Sequence, residues 1–84
     1  MLIEILIVDD NADIRNILND MIIDAGYKTR LAANYNQALS EIDKKMPDVA
    51  ILDVKLDKGD NDGIKLLTHI KSKNKDVPVI IISG

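Results

Sequence analysis

The sequence predicts an α/β fold, a parallel sheet with helices on both faces, and three observations lead to this prediction. Four short strand-like runs, three of them apolar, alternate with three segments whose apolar residues recur every three or four positions. Such βαβ units give parallel strands joined by right-handed crossovers. The three apolar runs are continuous rather than alternating, as in strands that are covered on both faces. A chain of 84 residues makes one small domain.

The first strand and the first helix occupy the N-terminal third of the chain. The strand is expected over Leu2–Val8, and Asp10 or Asn11 can cap the helix that follows. Gly26 suits a left-handed cap at the end of that helix. The apolar residues of the helix are predicted to form one apolar stripe, which comprises Ile14, Ile17, Leu18, Met21, Ile22 and Ala25.

The second and third strands differ in polarity. Tyr27–Ala33 is the more polar of the two, which predicts a strand near an edge of the sheet. A helix capped by Asn34 follows over about Tyr35–Lys45. Pro47 then breaks the chain before the apolar strand Asp48–Asp53.

The C-terminal part of the sequence contains a polar loop, a helix and a last strand. The loop KLDKGDNDG precedes a helix over about Gly63–Ser72, and the last strand is expected over Val77–Ser83. The VIII run inside this strand predicts full burial. No later element covers that run, so either a part is missing or another chain supplies the cover.

Composition excludes several classes of function. The net charge is −3 and the basic residues are scattered, which argues against a nucleic-acid surface. The absence of cysteine excludes disulfides and fits a reducing cytoplasm. The first apolar run contains Glu4 and lacks a basic lead-in, so no signal peptide is expected. No apolar stretch approaches the roughly 20 residues that span a bilayer. We therefore expect a cytoplasmic domain that binds neither membrane nor nucleic acid.

Four side chains that could bind a metal or a phosphate lie at the carboxyl ends of predicted strands: Asp9, Asp10, Asp53 and Ser83. In an open parallel sheet ligands bind outside these ends. Carboxylates that converge there need a cation or a proton. Three of them suit an octahedral Mg²⁺ that keeps several waters, beside which Asp53 can attack a phosphoryl group. Taken singly, Asp9 and Asp10 could be only helix-capping residues, and Ser83 only a turn residue.

Four motifs resemble the receiver domain of two-component response regulators: ILIVDDNADIR, the strand end VAILDV, the Asp62-Gly63 turn and the closing VPVIIISG. The resemblance covers the whole chain, with the motifs in the family's order. It implies a flavodoxin-like (CheY-like) doubly wound parallel sheet with strand order 2-1-3-4.

The same resemblance implies a role for each site residue. Asp53 would be the phosphoacceptor, which takes a phosphoryl group from a phosphohistidine of a sensor histidine kinase. Asp10 and Asp53 would bind Mg²⁺ directly, and Asp9 mainly through water. The backbone carbonyl of Lys55 would be a further ligand of the ion, and Ser83 would supply the switch hydroxyl.

Two departures from the family pattern refine these expectations. The loop between Asp53 and Gly63 is longer than in most receivers and looks like that of the NtrX-like subfamily. Members of that subfamily are transcriptional regulators that carry an ATPase module and a helix-turn-helix domain downstream, so DNA binding is expected only through such parts. The chain also ends at Gly84, before the fifth strand, the last two helices and the lysine that contacts phosphate. Residues 1–84 are therefore expected to be the N-terminal part of a receiver, and the exposed edge of Val77–Ser83 is expected to pair with a second molecule.

We expect a switch rather than an enzyme, one that assists its own phosphorylation and dephosphorylation. An interaction or dimerisation module that is not phosphorylated in this truncated form is an alternative; a module of that kind often loses one of the acids, and all are present here. A Mg²⁺-dependent phosphohydrolase with an aspartyl nucleophile is a remote alternative, because the chain shows no separate general acid.

Overall fold

The computed structural model describes residues 2–53 and 62–82, and it has the predicted alternation of strands and helices. The elements are β1 (Glu4–Val8), α1 (Ala12–Asp24), β2 (Lys28–Ala32), α2 (Tyr35–Lys44), β3 (Val49–Asp53), α3 (Asp62–Lys73) and β4 (Val79–Ile82). All three strand pairs are parallel and the order is β2-β1-β3-β4. The predicted fold class and strand order are confirmed. None of the helices within these residues is both long and apolar enough to cross a membrane.

The ends of the first two helices follow the local signals in the sequence. Asn11 caps α1 by accepting a hydrogen bond from the amide of Ile14 at 3.1 Å, and Asn34 caps α2 in the same way. Gly26 follows α1 with a φ of +94°, the left-handed conformation that glycine adopts without a Cβ penalty. The polarity of β2 is also explained, because β2 is an edge strand.

Helices cover both faces of the sheet. On one face, β1 and β3 pack against α2 and α3 in a cluster whose fully buried side chains include Leu6, Leu52, Leu66 and Ile70. On the other face a smaller cluster of Ile5, Ile7 and Ile51 packs against two residues of α1, Leu18 and Ile22. Both faces of β1 are therefore apolar, as its continuous run predicts.

One burial prediction is wrong, and the apolar stripe of α1 is covered only in part. Of the predicted α1 stripe only Leu18 and Ile22 pack on the sheet, while Ile14, Ile17 and Met21 are exposed. The apolar stripe is wider than the contact surface that β1 and β3 offer to the helix. The VIII run of β4 is also not fully buried, since Ile80 is 51% exposed and Ile81 is exposed as well. In the described part of the chain β4 lies at the edge of the sheet, so neighbours cover it from one side only.

A buried ion pair lies at the amino end of the sheet. Glu4 is 7% exposed, and one of its carboxylate oxygens lies 3.0 Å from Nε of Arg30. Neither atom has a hydrogen-bond partner of good geometry among the described residues, so the contact is purely ionic. Arg30 also donates to the carbonyl oxygens of Glu41 at 2.8 Å and Lys45 at 2.6 Å, and the amide of Glu4 donates to Asp48 at 2.8 Å. The guanidinium thus connects β1, β2 and the end of α2.

A lysine fixes the start of the last strand. The Lys71 ammonium, in the last turn of α3, donates to the carbonyl oxygens of Val77 at 2.6 Å and Lys75 at 3.1 Å. The amide of Ala50 then donates to the carbonyl of Pro78 at 3.1 Å, which begins the β3–β4 pairing. The connection between α3 and β4 is therefore held by hydrogen bonds along its length.

Candidate functional site

The predicted convergence of acids is present at the carboxyl ends of β1 and β3. These strands are paired in register up to Val8 and Leu52, so the next residues, Asp9 and Asp53, are neighbours. Carboxylate oxygens of Asp9, Asp10 and Asp53 all lie within 4.8 Å of one another. Asp9 is 2% exposed and Asp53 is 9% exposed, whereas Asp10 lies at the surface. The parallel sheet thus delivers three carboxylates to one point.

The loop between β1 and α1 is held by hydrogen bonds on both sides of Asp9. The amide of Asp9 donates to the carbonyl of Ala32 at 3.2 Å, which extends the β1–β2 ladder by one residue. The Asp9 carboxylate accepts from the amide of Asn11 at 2.9 Å, and Arg15 donates from Nη1 to the Asp9 carbonyl oxygen at 2.7 Å. Asn11 also caps α1, so one short segment positions both the helix and the acids.

The electrostatics of the cluster favour a proton or a cation. Burial raises the pKa of the Asp9 carboxyl, and the negative charges of Asp53 and Asp10 raise it further. The hydrogen bond from the Asn11 amide and the Arg15 guanidinium lower this pKa and offset part of the rise. The ionised acids therefore repel one another, and a bound cation would remove that repulsion.

The donor set fits Mg²⁺. This ion prefers carboxylate and water oxygens in an octahedron at about 2.1 Å, which places neighbouring ligand oxygens about 3 Å apart and opposite ones about 4 Å apart. Three carboxylates with oxygens within 4.8 Å of one another need only small side-chain adjustments, or one intervening water, to surround one such ion. The chemistry of the residues thus agrees with the predicted cofactor.

A cavity of about 450 Å³ opens at the acids and combines polar and apolar walls. Its lining comprises Asp9, Asp10, Asn11, Ile14, Leu18, Asp53 and Ile82. The acids and Asn11 form the polar part, whereas α1 and β4 supply the apolar residues. A phosphoryl donor could therefore reach Asp53 from the open carboxyl edge of the sheet.

Two predicted site residues lie outside the described residues, namely Ser83 and Lys55. Their roles, and the roles of Asp9, Asp10 and Asp53 as metal ligands and phosphoacceptor, stay predictions. The sequence reasoning did not include Arg15, whose contact with the site is made through a backbone oxygen. It also missed the apolar part of the cavity, which Ile14, Leu18 and Ile82 line. The helical spacing of Ile14 and Leu18 behind the acid pair is the one signal that could have pointed to it.

Comparison with known proteins agrees with this geometry. The family described as response regulator receiver domain matches residues 5–84. The nitrogen assimilation regulatory protein NtrX of Azorhizobium caulinodans is 41% identical over 81 residues, which are 96% of this chain and 18% of that protein. The crystal structure of NtrX from Brucella abortus in complex with ADP superposes with a TM-score of 0.90 at 38% identity, covering 100% of this chain and 19% of that one.

A further similar structure contains a metal. Response regulator protein TrrA from Thermotoga maritima, crystallised in complex with Mg²⁺-BeF, superposes with a TM-score of 0.88 at 29% identity, covering 98% of this chain and 70% of that one.

The chain spans about a fifth of the length of the NtrX relatives. The family match, the identities and the TM-scores confirm the resemblance that the motifs indicated. The chain belongs to the response regulator receiver domain family and is similar to NtrX.

Proposed function

We propose that this chain is a phosphoacceptor receiver, in which Asp53 takes a phosphoryl group from a phosphohistidine of a sensor histidine kinase. One observation carries the proposal: oxygens of Asp9, Asp10 and Asp53 lie within 4.8 Å of one another at an open cavity. Membership of the receiver family supports it, as does the complex of the similar protein TrrA with Mg²⁺-BeF.

Asp53 would act as the nucleophile. One of its carboxylate oxygens forms a bond to phosphorus while the bond between phosphorus and the imidazole nitrogen breaks. The electron pair of that bond stays on the imidazole nitrogen, which takes up a proton from solvent, and Asp53 becomes an acyl phosphate. The position of Asp53 at the end of β3, in the wall of the cavity, suits attack on a donor that approaches the carboxyl edge of the sheet.

Mg²⁺ would be held by Asp10 and Asp53 directly and by Asp9 mainly through water. When bound, the ion neutralises the charge that builds on the phosphoryl oxygens. The family resemblance adds the backbone carbonyl of Lys55 as a further ligand. It also gives Ser83 as the hydroxyl that turns toward the phosphate and shifts the domain between two pre-existing states.

Phosphorylation by a small donor tests this proposal. With Mg²⁺ and acetyl phosphate, we expect the mass of the protein to rise by one phosphoryl group, and Asp53→Asn to show no increase. Asp20→Asn changes the charge equally at an exposed position of α1 and should label like the wild type. Labelling of Asp53→Asn to the wild-type extent would contradict the assignment.

We further propose that the domain is a switch that assists its own phosphorylation and dephosphorylation rather than an enzyme that turns over a substrate. Each chain should then accept one phosphoryl group and lose it slowly. Repeated turnover of a phosphate ester, measured as phosphate released per chain, would instead support the remote alternative of a Mg²⁺-dependent phosphohydrolase.

The output would belong to a longer protein in the cytoplasm. Residues 1–84 would form the N-terminal part of a receiver, and control of transcription would be exerted through downstream domains, as the resemblance to the NtrX-like subfamily implies. The net charge of −3 argues against direct contact of this domain with DNA or with an anionic membrane. A mobility-shift assay of the 84-residue chain with duplex DNA at low salt should show no complex.

A second candidate function is an interaction module that pairs through β4 without carrying phosphate. The predicted edge Val77–Ser83 contains β4, whose Ile80 is 51% exposed, and no charged residue lies within it. The other edge strand, β2, carries Lys28 and Arg30, charges that discourage edge-to-edge pairing. We propose that two molecules associate antiparallel through β4 about a two-fold axis.

The mass of the protein in solution tests this association. Light scattering should show a dimer that Ile80→Lys converts to a monomer. Leu31→Lys places the same charge at an exposed position of β2 and should leave the dimer intact. A wild-type protein that stays monomeric at high concentration would contradict the pairing.

A further inference from the structure

Arg15 makes a main-chain contact that the proposed chemistry does not use. This residue lies in α1 and is half-buried, and its Nη1 donates to the carbonyl oxygen of Asp9 at 2.7 Å. Asp9 itself is 2% exposed, so its carbonyl oxygen needs a hydrogen-bond partner within the protein. The Arg15 guanidinium is that partner, and its hydrogen bond to the oxygen is short and charge-assisted.

The position of Arg15 is unfavourable for a cation unless the acids nearby compensate. α1 begins at Ala12, so Arg15 lies near the helix N-terminus, where the helix dipole favours anions. The positive charge of Arg15 and the acids beside it therefore stabilise each other across the β1–α1 loop. A second hydrogen bond in this loop joins the Asn11 amide to the Asp9 carboxylate at 2.9 Å. It holds the side chain of Asp9, whereas the bond from Arg15 holds the backbone oxygen.

We propose that Arg15 is a positioning residue for the acidic site. By holding the Asp9 carbonyl oxygen, it fixes the loop that carries Asp9 and Asp10 in the geometry that binds a divalent cation. This inference rests on the proposed Mg²⁺ site. It assigns the effect of Arg15 to the hydrogen bond with the backbone and not to its charge.

The sign of a change in Mg²⁺ affinity separates these two effects. Removal of a positive charge beside three carboxylates would by itself tighten cation binding. Loss of the contact that positions the ligands would weaken it, and groups that orient metal ligands typically contribute tenfold or more to affinity. A protein with Arg15→Ala should therefore bind Mg²⁺ about 10-fold more weakly, and Arg15→Lys, which keeps a donor of similar reach, should recover part of the loss.

The experiment measures Mg²⁺ dissociation constants by calorimetry for the folded wild type, Arg15→Ala, Arg15→Lys and the control Lys75→Ala. Lys75 is exposed in the turn after α3, so this control removes one positive charge away from the site and should bind Mg²⁺ like the wild type. Hydrogen exchange of the Asn11 amide without metal is a second readout. Exchange should be faster in Arg15→Ala than in Lys75→Ala, because the loop loses one of its anchors.

Three outcomes would overturn the inference. Equal or tighter Mg²⁺ binding by Arg15→Ala would show that the contact does not position the ligands. Unchanged exchange of the Asn11 amide would show that Arg15 does not hold the loop. Absence of Mg²⁺ binding by the wild type would remove the proposed metal site and the inference together, and this outcome is recognised from the wild type alone.

Discussion

Strand β1 has a buried acid at its amino end and another just beyond its carboxyl end, and the two have opposite surroundings. Glu4 has the Arg30 guanidinium at 3.0 Å and the Lys28 ammonium at 3.9 Å. Asp9 has two further carboxylates within 4.8 Å, and Arg15 reaches its backbone oxygen. The charge of Glu4 is thus balanced by two basic side chains, whereas burial and the neighbouring acids raise the pKa of the Asp9 carboxyl. One end of the strand stabilises the fold, and the other gives up stability for a site that a cation can complete.

The largest expected effect is at the amino end of β1, where Arg30 balances the charge of Glu4. Arg30→Met should lower the free energy of unfolding by about 3 kcal/mol, because it leaves the buried Glu4 charge without its closest partner. Lys28→Met is the matched control: its ammonium lies 3.9 Å from Glu4 on a side chain that is 64% exposed, so a loss below about 1 kcal/mol is expected. Urea unfolding measures both variants, and equal losses would show that Glu4 is not balanced mainly by Arg30.

A gain in stability is expected from a substitution of Asp9, just beyond the carboxyl end of β1. Without divalent cations, Asp9→Asn should raise the free energy of unfolding, because the acid oxygens lie within 4.8 Å of one another. The expected gain is about 1 kcal/mol, the order of the repulsion between two unit charges at such a distance in water. The asparagine oxygen can still accept the Asn11 amide. Addition of Mg²⁺ should then stabilise the wild type more than the variant. The measurement is thermal unfolding in EDTA and in excess Mg²⁺.

A control for Asp9→Asn is Asp13→Asn. Asp13 is an exposed acid in the first turn of α1, so its removal changes the net charge equally. It should cost a few tenths of a kcal/mol to about 1 kcal/mol through the helix dipole and leave the response to Mg²⁺ unchanged. A loss of stability in EDTA for Asp9→Asn would contradict the view that the neighbouring acids destabilise the ionised Asp9 carboxyl.

The smallest effect is expected at a third acid, on the surface between α2 and α3. Asp43 lies 3.3 Å from the Lys73 ammonium and 3.4 Å from His69, and hydrogen bonds from these two side chains lower the pKa of its carboxyl. Because the folded-state pKa is the lower one, this contribution to stability is complete above pH about 4 and is lost as the pH falls through the lowered pKa. The urea midpoints of wild type and Asp43→Asn should differ slightly at pH 7 and converge at lower pH. A difference that grows on acidification would contradict this sign.

The sequence allowed the fold and the acidic cluster to be predicted because both depend on local patterns. Two continuous apolar runs end in aspartates, and parallel pairing of those runs brings Asp9 and Asp53 together. The Glu4–Arg30 pair could not be seen, since it depends on cross-strand register between residues far apart in sequence. The exposure of Ile80 was also missed, because an apolar run indicates what a strand can bury and not what lies beside it. Arg15 escaped notice because its partner is a backbone oxygen, which has no sequence signature.

The Lys71 hydrogen bonds have a consequence for the shape of the cavity. By holding the carbonyl oxygen of Val77, the lysine sets the residue at which β4 starts to pair with β3. Side chains alternate between the faces of a strand, so a slip of one residue would exchange the two faces of β4. Ile82 would then leave the cavity wall and Ile81 would turn toward α1. A lysine at the end of α3 thus determines which isoleucine lines the pocket beside the acids.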